Sequence, residues 1–530
     1  SPLWNQACGD SLLGALRPER DAYRVYHYEL TLMPDVKKKT LSGVNRLYCN
    51  WQENSNFIQI DLQLPMRIDK VVVLGKEVSF QRISNSYFID SRDFCKKGSS
   101  GMIEIFFSGK PKIAKHAPWD GGMVYSRDKR GRPWIGVAVQ GEGASLFWPL
   151  KDHLSEEPDS MLIAIYAPKG LMAISNGKLV EITPFGKGNW FKWSVSYPIN
   201  NYNVTFNIGD YVHFQEIYDG SAYSFPMHFY VLRGHESIAK AHFSQLSLMF
   251  QFFDSLVGPY PFVRDGYKLI ETSYAGMEHQ SGISYGNEFK SGYLGYDRSG
   301  LNLDFDFILL HETAHEYWGN MVSMEDRADM WIHEAFATYT EAMFVEWRYG
   351  KEAANRYVHS WRSDVLNDKP ILGQRHCHNS GSIDMYYKGA LMLHTLRNLI
   401  QDEQRWWALW RHLQETFRYS CTNTEDFTAA ISLFLEKDYG WLFEQYLLFS
   451  EIPILSYHIR SEGHTTFIAY RWENVQRNFS LPVEMEVGGK VQWLYPSVGW
   501  KWLEMEMGSI PKWNENDSYF RIEYRNTLAN

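Results

Sequence analysis

Cysteine is scarce in this chain and long apolar runs are missing. Five cysteines occur in 530 residues, at positions 8, 49, 95, 377 and 421. Their wide spacing and odd number imply no disulfide framework. Cys377 lies between His376 and His378, yet adjacent residues cannot easily close on one tetrahedral ion, so the segment reads as a polar surface loop. No apolar stretch approaches the ~18 residues needed to cross a bilayer. Positive charge is in deficit too: 53 Lys and Arg against 62 Asp and Glu leave a formal net charge of −9, which argues against nucleic acid as a main partner. Repeats, low-complexity tracts and charge blocks are missing as well. The chain begins at Ser1 without Met or a charged-then-apolar leader, and on that ground a periplasmic or secreted location is expected over a cytoplasmic one.

What is present is a long, aromatic-rich globular sequence. At 530 residues it exceeds a single hydrophobic core, so several domains are expected. The first two hundred residues alternate in the manner of strands, as in 28–32, 56–62, 102–107, 161–166, 190–195 and 202–208, with Gly, Pro, Asp and Asn between them. From about His235 the period becomes helical, with stretches at 237–253, 305–321, 330–349, 387–400 and 408–417. Strand patterns return after Pro453, at 467–472, 483–487 and 520–524. The expected fold is multidomain α+β: an N-terminal all-β sandwich or saddle over 1–209, a mostly helical domain over 210–451 and a small β domain over 452–530.

One pattern carries chemistry. His311-Glu312-Thr313-Ala314-His315 is an H-E-x-x-H motif, and Glu334 follows eighteen residues later. Positions i and i+4 share a helix face, so both imidazoles can reach one metal ion, and Glu334 can supply a third ligand. Two histidines and one carboxylate leave zinc an open position for water. Glu312, one residue past the first ligand, is placed to take a proton from that water and return it to a leaving amine. Phe307-Ile308-Leu309-Leu310 runs directly into His311, so the motif sits in an apolar helix, where buried polar groups need compensation. His333 points about 100° away from Glu334 around the helix and is expected on the surface or behind the ligands. Glu341 and Asp329 are candidates to support a ligating imidazole, and Asp329 alternatively to cap its helix.

With these residues the chain resembles the gluzincin aminopeptidases, the family of alanyl aminopeptidase and leukotriene hydrolase. Trp331-Ile332-His333-Glu334-Ala335-Phe336-Ala337 is similar to the family's W-L-N-E-G-F-A, with His333 for Asn and Ala335 for Gly. Ala275-Gly276-Met277-Glu278-His279 is similar to its G-A-M-E-N segment. The resemblance implies that Ala275, Gly276 and Met277 lie along a substrate backbone and that Glu278 binds the free α-amine. Gln140-Gly141-Glu142 resembles the family's Q-x-[QE] segment and implies a second amine anchor at Glu142, with Gln140 beside it. Tyr386-Tyr387-Lys388-Gly389 resembles Y-E-K-G and implies that Tyr386 donates to the oxyanion. Taken together these imply a thermolysin-like catalytic domain holding one Zn2+ per chain, and peptide substrates with a free N-terminus. Epoxide hydrolysis on the same metal, thermolysin-like endopeptidase action and a catalytically dead interaction module are the rival readings. Oligomeric state and the preferred N-terminal residue are not legible.

Overall fold

Alternating buried and exposed side chains along Tyr23–Asp35 and Thr40–Trp51 pair these strands antiparallel, with Tyr28, Leu30 and Leu32 directed into the core. They form the middle of an eight-stranded sheet. Ser160–Pro168, Gly188–Val195 and Lys178–Phe185 extend it on one side; Ser100–Gly109, Arg67–Val73 and Lys76–Glu77 extend it on the other. A four-stranded sheet (Met172–Ser175, Phe206–Gly209, Pro133–Ala138, Gly122–Arg127) and a three-stranded one (Phe57–Asp61, Ser86–Asp90, Phe80–Ile83) complete the N-terminal β-rich part. The computed structural model describes residues 10–220, 223–506 and 508–527.

The chain divides into two units. The first contains the β-rich part and continues to His333, with Gln374–Ser380 and Gln414–Asn423 added. Its second half is built on a five-stranded sheet in the order Tyr211–Asp219, Ser224–Leu232, Tyr267–Glu271, Ile283–Tyr285 and Gly276–Met277. Gly276–Met277 is therefore an edge strand, paired antiparallel to Ile283–Tyr285 and packed on the helix Phe307–Tyr317.

The second unit contains Glu334–Gly373, Gly381–Leu413 and Thr424–Asn530. Phe336 packs edge-on to Phe427 and against Trp410. That joins the helices Trp331–Tyr349, Glu403–Thr416 and Thr424–Leu435. The C-terminal strands form a four-stranded and a three-stranded sheet around Ile468, Tyr470, Met485, Leu494 and Met505. Of the three expected domains, 1–209 lies in the first unit, 452–530 in the second, and 210–451 is shared between them. The multidomain α+β class is the one observed.

Local differences from the expected elements have local causes. Tyr202 and Asn203 belong to a 3-10 turn, Asn201–Asn203, because the Asn200 side chain accepts from the Asn203 N–H; the strand starts only at Phe206. The helix expected over 237–253 is two helices, Glu236–Phe243 and Leu246–Phe252, followed by a π turn that ends at Gly258 with φ 147°. The cysteine reading is corrected at one position: Cys377 is disulfide-bonded and buried. Cys49, Cys95 and Cys421 are free thiols.

Two buried histidines give the fold a pH dependence. Burial pushes the His279 imidazole down to about 3 and that of His394 to about 4. Unfolding restores both to about 6.5. The native state thus binds fewer protons below that value. The stability is fully present above about pH 6.5 and is lost as pH falls toward the native values, by about 1.4 kcal/mol per pH unit for each histidine. Glu157 and Glu316, whose carboxyls burial pushes up to about 7, act in the opposite sense, so the test is a comparison: His394→Asn is expected to lose less melting temperature than wild type between about pH 7 and pH 5. Parallel pH profiles of the two proteins in scanning calorimetry would contradict this.

Candidate metal centre

The helix Phe307–Tyr317 is buried along its length from Ile308 onward, although it carries His311, Glu312, Thr313, His315 and Glu316. Each polar side chain needs a partner there. Asp306 caps the helix, accepting from the Leu309 N–H, and also accepts from Tyr285 Oη and Asn287 Nδ2. Thr313 meets Tyr267 Oη at 2.8 Å. Glu316 accepts from Tyr260 Oη at 2.6 Å, Asn320 Nδ2 at 2.7 Å and the Ser281 N–H, and burial pushes its carboxyl up to about 7.

The two histidines are arranged differently. The His315 Nδ1–H donates to the Trp318 carbonyl at 2.9 Å, which leaves Nε2 as the lone-pair nitrogen. That Nε2 lies 3.1 Å from His311 Nε2, and the His311 ring stacks on Phe307 at 5.3 Å. The helix ends at Tyr317, and two residues on the φ of Gly319 is 131°; a Cβ there would sit 3.3 Å from His315 Nδ1. A side chain at 319 would thus press on the ring of His315.

Glu334 is the fourth residue of the helix Trp331–Tyr349 and is 1% exposed. His311, His315 and Glu334 each offer one ligand atom, all within 4.8 Å of one another; Glu278, Glu312 and His315 form an overlapping group of the same kind. Two imidazoles and a carboxylate suit zinc by donor type, and the outward Nδ1 contact of His315 is the orienting bond such a ligand requires. The residues present fit the metal.

Gly276 is the point where the edge strand approaches this helix. A Cβ at 276 would lie 2.7 Å from Ile308 Cγ2 and 3.0 Å from Glu312 Oε1. Only a glycine lets the strand pass so close to that carboxylate. Gly276→Ala is expected to displace Glu312 and lower kcat by roughly tenfold with little change in metal content. Steady-state kinetics together with metal analysis checks it, and an unchanged kcat counts against the contact.

Glu278 follows directly after this strand and is 3% exposed. Gln140 Nε2 donates to its Oε1 at 2.6 Å, Tyr202 Oη donates to the same oxygen at 3.2 Å, and Asn320 Nδ2 donates to its backbone carbonyl. The Glu142 carboxylate pairs with Lys112 at 3.0 Å on a half-exposed turn, and the Glu142 carbonyl accepts from Gln63. Of the Gln140-Gly141-Glu142 segment, Gln140 is the residue that hydrogen-bonds to Glu278.

His333 corrects the surface alternative. It is fully buried; its Nε2 accepts from the Met324 N–H at 2.8 Å, so Nδ1 carries the proton and donates to Tyr202 Oη at 3.1 Å. Tyr202 is in turn a donor to Glu278, so His333 fixes the orientation of that carboxylate through one intermediate side chain. Neither Tyr202 nor the Trp318 carbonyl has a signal in the sequence. Both are placed by tertiary contact. Asp329 receives both guanidinium nitrogens of Arg375, at 2.7 and 2.8 Å. Glu341 accepts from Tyr357 Oη. His279 is buried against Ser284 Oγ. Tyr386 precedes the helix Tyr387–Ile400 and is partly exposed, while the adjacent Tyr387 stacks on Trp361.

Residues 245–446 match the peptidase family M1 domain. The chain is 23% identical to aminopeptidase N of Lactobacillus helveticus over 95% of its own length and 61% of that protein. It is likewise 23% identical to leucyl aminopeptidase of Saccharolobus solfataricus, over 88% of its own length and 59% of that protein. The chain therefore spans about three fifths of the length of these relatives. Among solved structures, an M1 zinc metallopeptidase from Deinococcus radiodurans superposes with a TM-score of 0.70 at 18% identity, covering 84% of this chain and 98% of that one. Legionella pneumophila aminopeptidase A, in complex with aspartic acid, superposes at 0.79 and 16% identity, covering 96% and 60%. At these identities the structural likeness is one of fold.

Proposed function

We propose that this chain, which belongs to peptidase family M1 through the domain at residues 245–446, is a zinc-dependent aminopeptidase that removes N-terminal residues from peptides. The observation that carries the reading is the pair of buried imidazoles whose Nε2 atoms face each other at 3.1 Å on a helix that also carries Glu312. His311, His315 and Glu334 would hold one zinc ion at this centre. Zinc in that position supplies a Lewis acid, which acidifies a water and polarises the substrate carbonyl.

The chain's own residues do the rest. Glu312 accepts the proton of the attacking water and delivers it to the departing amine. Glu278 takes the substrate ammonium, and Gln140 and Tyr202 hold its carboxylate in place. Glu142, the residue first expected as a second anchor, is engaged by Lys112, so Gln140 is the better candidate for the position beside Glu278. The backbone of Ala275, Gly276 and Met277 offers an open strand edge along which an extended peptide can pair. Tyr386 is the proposed donor to the oxyanion, since Tyr387 is taken up by Trp361.

Peptides with a free N-terminus are the proposed substrates. Among the described residues no helix is long and apolar enough to cross a membrane. A periplasmic or secreted location remains the proposal, and the bonded Cys377 supports it, because disulfides persist in oxidising compartments. Removal of metal tests the function directly. Dialysis against a chelator is expected to abolish hydrolysis of amino-acyl anilides, and stoichiometric zinc to restore it. Full activity in metal-free protein would rule the mechanism out.

A further inference from the structure

The loop that reads as surface in the sequence is more than that. His376 is exposed and has a left-handed backbone, φ 59°. Its N–H donates to Asp326 Oδ2 at 3.0 Å, and the preceding Arg375 is clamped on Asp329. Cys377 is bonded in a disulfide, and His378 Nδ1 is engaged by Arg327. His376 is thus held at a fixed place.

That place is next to His153 and Asp326. The three side chains come from segments far apart in sequence, and each offers a ligand atom within 4.8 Å of the other two. His153 and Asp326 are 8% and 7% exposed. A small cleft opens beside them, lined by Leu13, Gly14, Asp152, His153, Asp326 and Arg327. Asp152 is 3% exposed; its Oδ2 accepts from the Ser145 N–H and hydroxyl, and its Oδ1 has no hydrogen bond. A buried carboxylate oxygen without a donor is costly unless a cation is at hand.

We propose that His153, Asp326 and His376 form a second metal site, separate from the His311–His315–Glu334 centre, with the Asp152 carboxylate beside it. Two imidazoles with carboxylates select a borderline divalent ion such as Zn2+ over Ca2+ or Mg2+, which take oxygen donors. The neighbouring positive charges do not exclude it. Arg20 is paired with Asp61, Lys151 with Glu156, and Arg327 faces Asp152 and Asp326. Ser155 Oγ and the Ser155 N–H meet His153 Nδ1 at 2.8 and 3.1 Å, and an ion on Nε2 would move the ring proton to Nδ1, where Ser155 Oγ can accept it. The ion would tie the β-rich part, the turn that precedes the Trp331–Tyr349 helix and the His376 loop into one cross-link.

The test is metal content. Chelator-stripped protein equilibrated with buffered zinc alone and analysed by mass spectrometry is expected to bind a second equivalent beyond the catalytic one. His376→Asn, which tolerates the left-handed backbone, is expected to lose one equivalent, to keep kcat/KM, and to lose part of the zinc-dependent rise in melting temperature. His311→Ala is expected to lose the catalytic equivalent and retain the other. Equal zinc content in wild type and His376→Asn overturns the site, as does a His311→Ala protein that binds none. If His376→Asn loses an equivalent while zinc-loaded wild type has no peptidase activity, the second site stands and the peptidase reading fails.

Discussion

Glu312→Ala is expected to lower kcat by roughly a thousandfold or more while leaving the bound zinc in place. General base and acid catalysis by one positioned group contributes about 10² to 10⁴, and Glu312 is proposed for both roles. Its carboxylate is 7% exposed and lies against Gly276, so water cannot readily replace it. The zinc content is predicted to persist because His311, His315 and Glu334, the proposed ligands, are untouched. Glu312→Gln separates loss of the base from loss of packing, since it keeps the shape and is expected to be nearly as inactive. Metal analysis and single-turnover kinetics on both variants check this; a kcat within about tenfold of wild type in either would refute the role.

The juxtaposition of His311 and His315 was legible because it is local. His311 and His315 share a helix face by the period of the helix alone, and the apolar run 307–310 announces a buried helix. The strand and helix classes were legible for the same reason: alternation and 3.6-residue periodicity are written within ten residues. The side-chain partner of Glu278 was not. Gln140 and Glu142 sit on a turn around Gly141 and Gly143, both at positive φ, where the direction of a side chain follows from backbone torsions that spacing does not encode. His333 illustrates a different limit. Its direction around the helix was readable, but its burial depends on Tyr202, in a 3-10 turn far away in sequence, and on the short strand that ends at Met324. The disulfide at Cys377 was invisible for a related reason: pairing depends on which loops meet, and an odd, sparse set of cysteines gives no pattern.

Glu278, as the proposed amine anchor, would carry the distinction between trimming an end and cutting a chain. Its replacement is expected to cost about 2–3 kcal/mol toward substrates with a free amine, or roughly 30- to 150-fold in kcat/KM, the usual scale for a buried charged hydrogen bond. N-acetylated substrates cannot make that contact, so their already slow hydrolysis should change little, and the preference for free amines should shrink by the same factor. Glu278→Gln keeps the shape and one acceptor oxygen but not the charge, and is expected to fall between wild type and Glu278→Ala. Part of the effect is positional: Gln140 and Tyr202 both donate to Oε1, and in the alanine variant those two buried donors lose their acceptor. Comparing the two variants on matched free and acetylated anilides resolves charge from positioning. An equal loss on both substrate types would mean that Glu278 acts on the reacting bond and not on the amine, and register would have to be set by other groups.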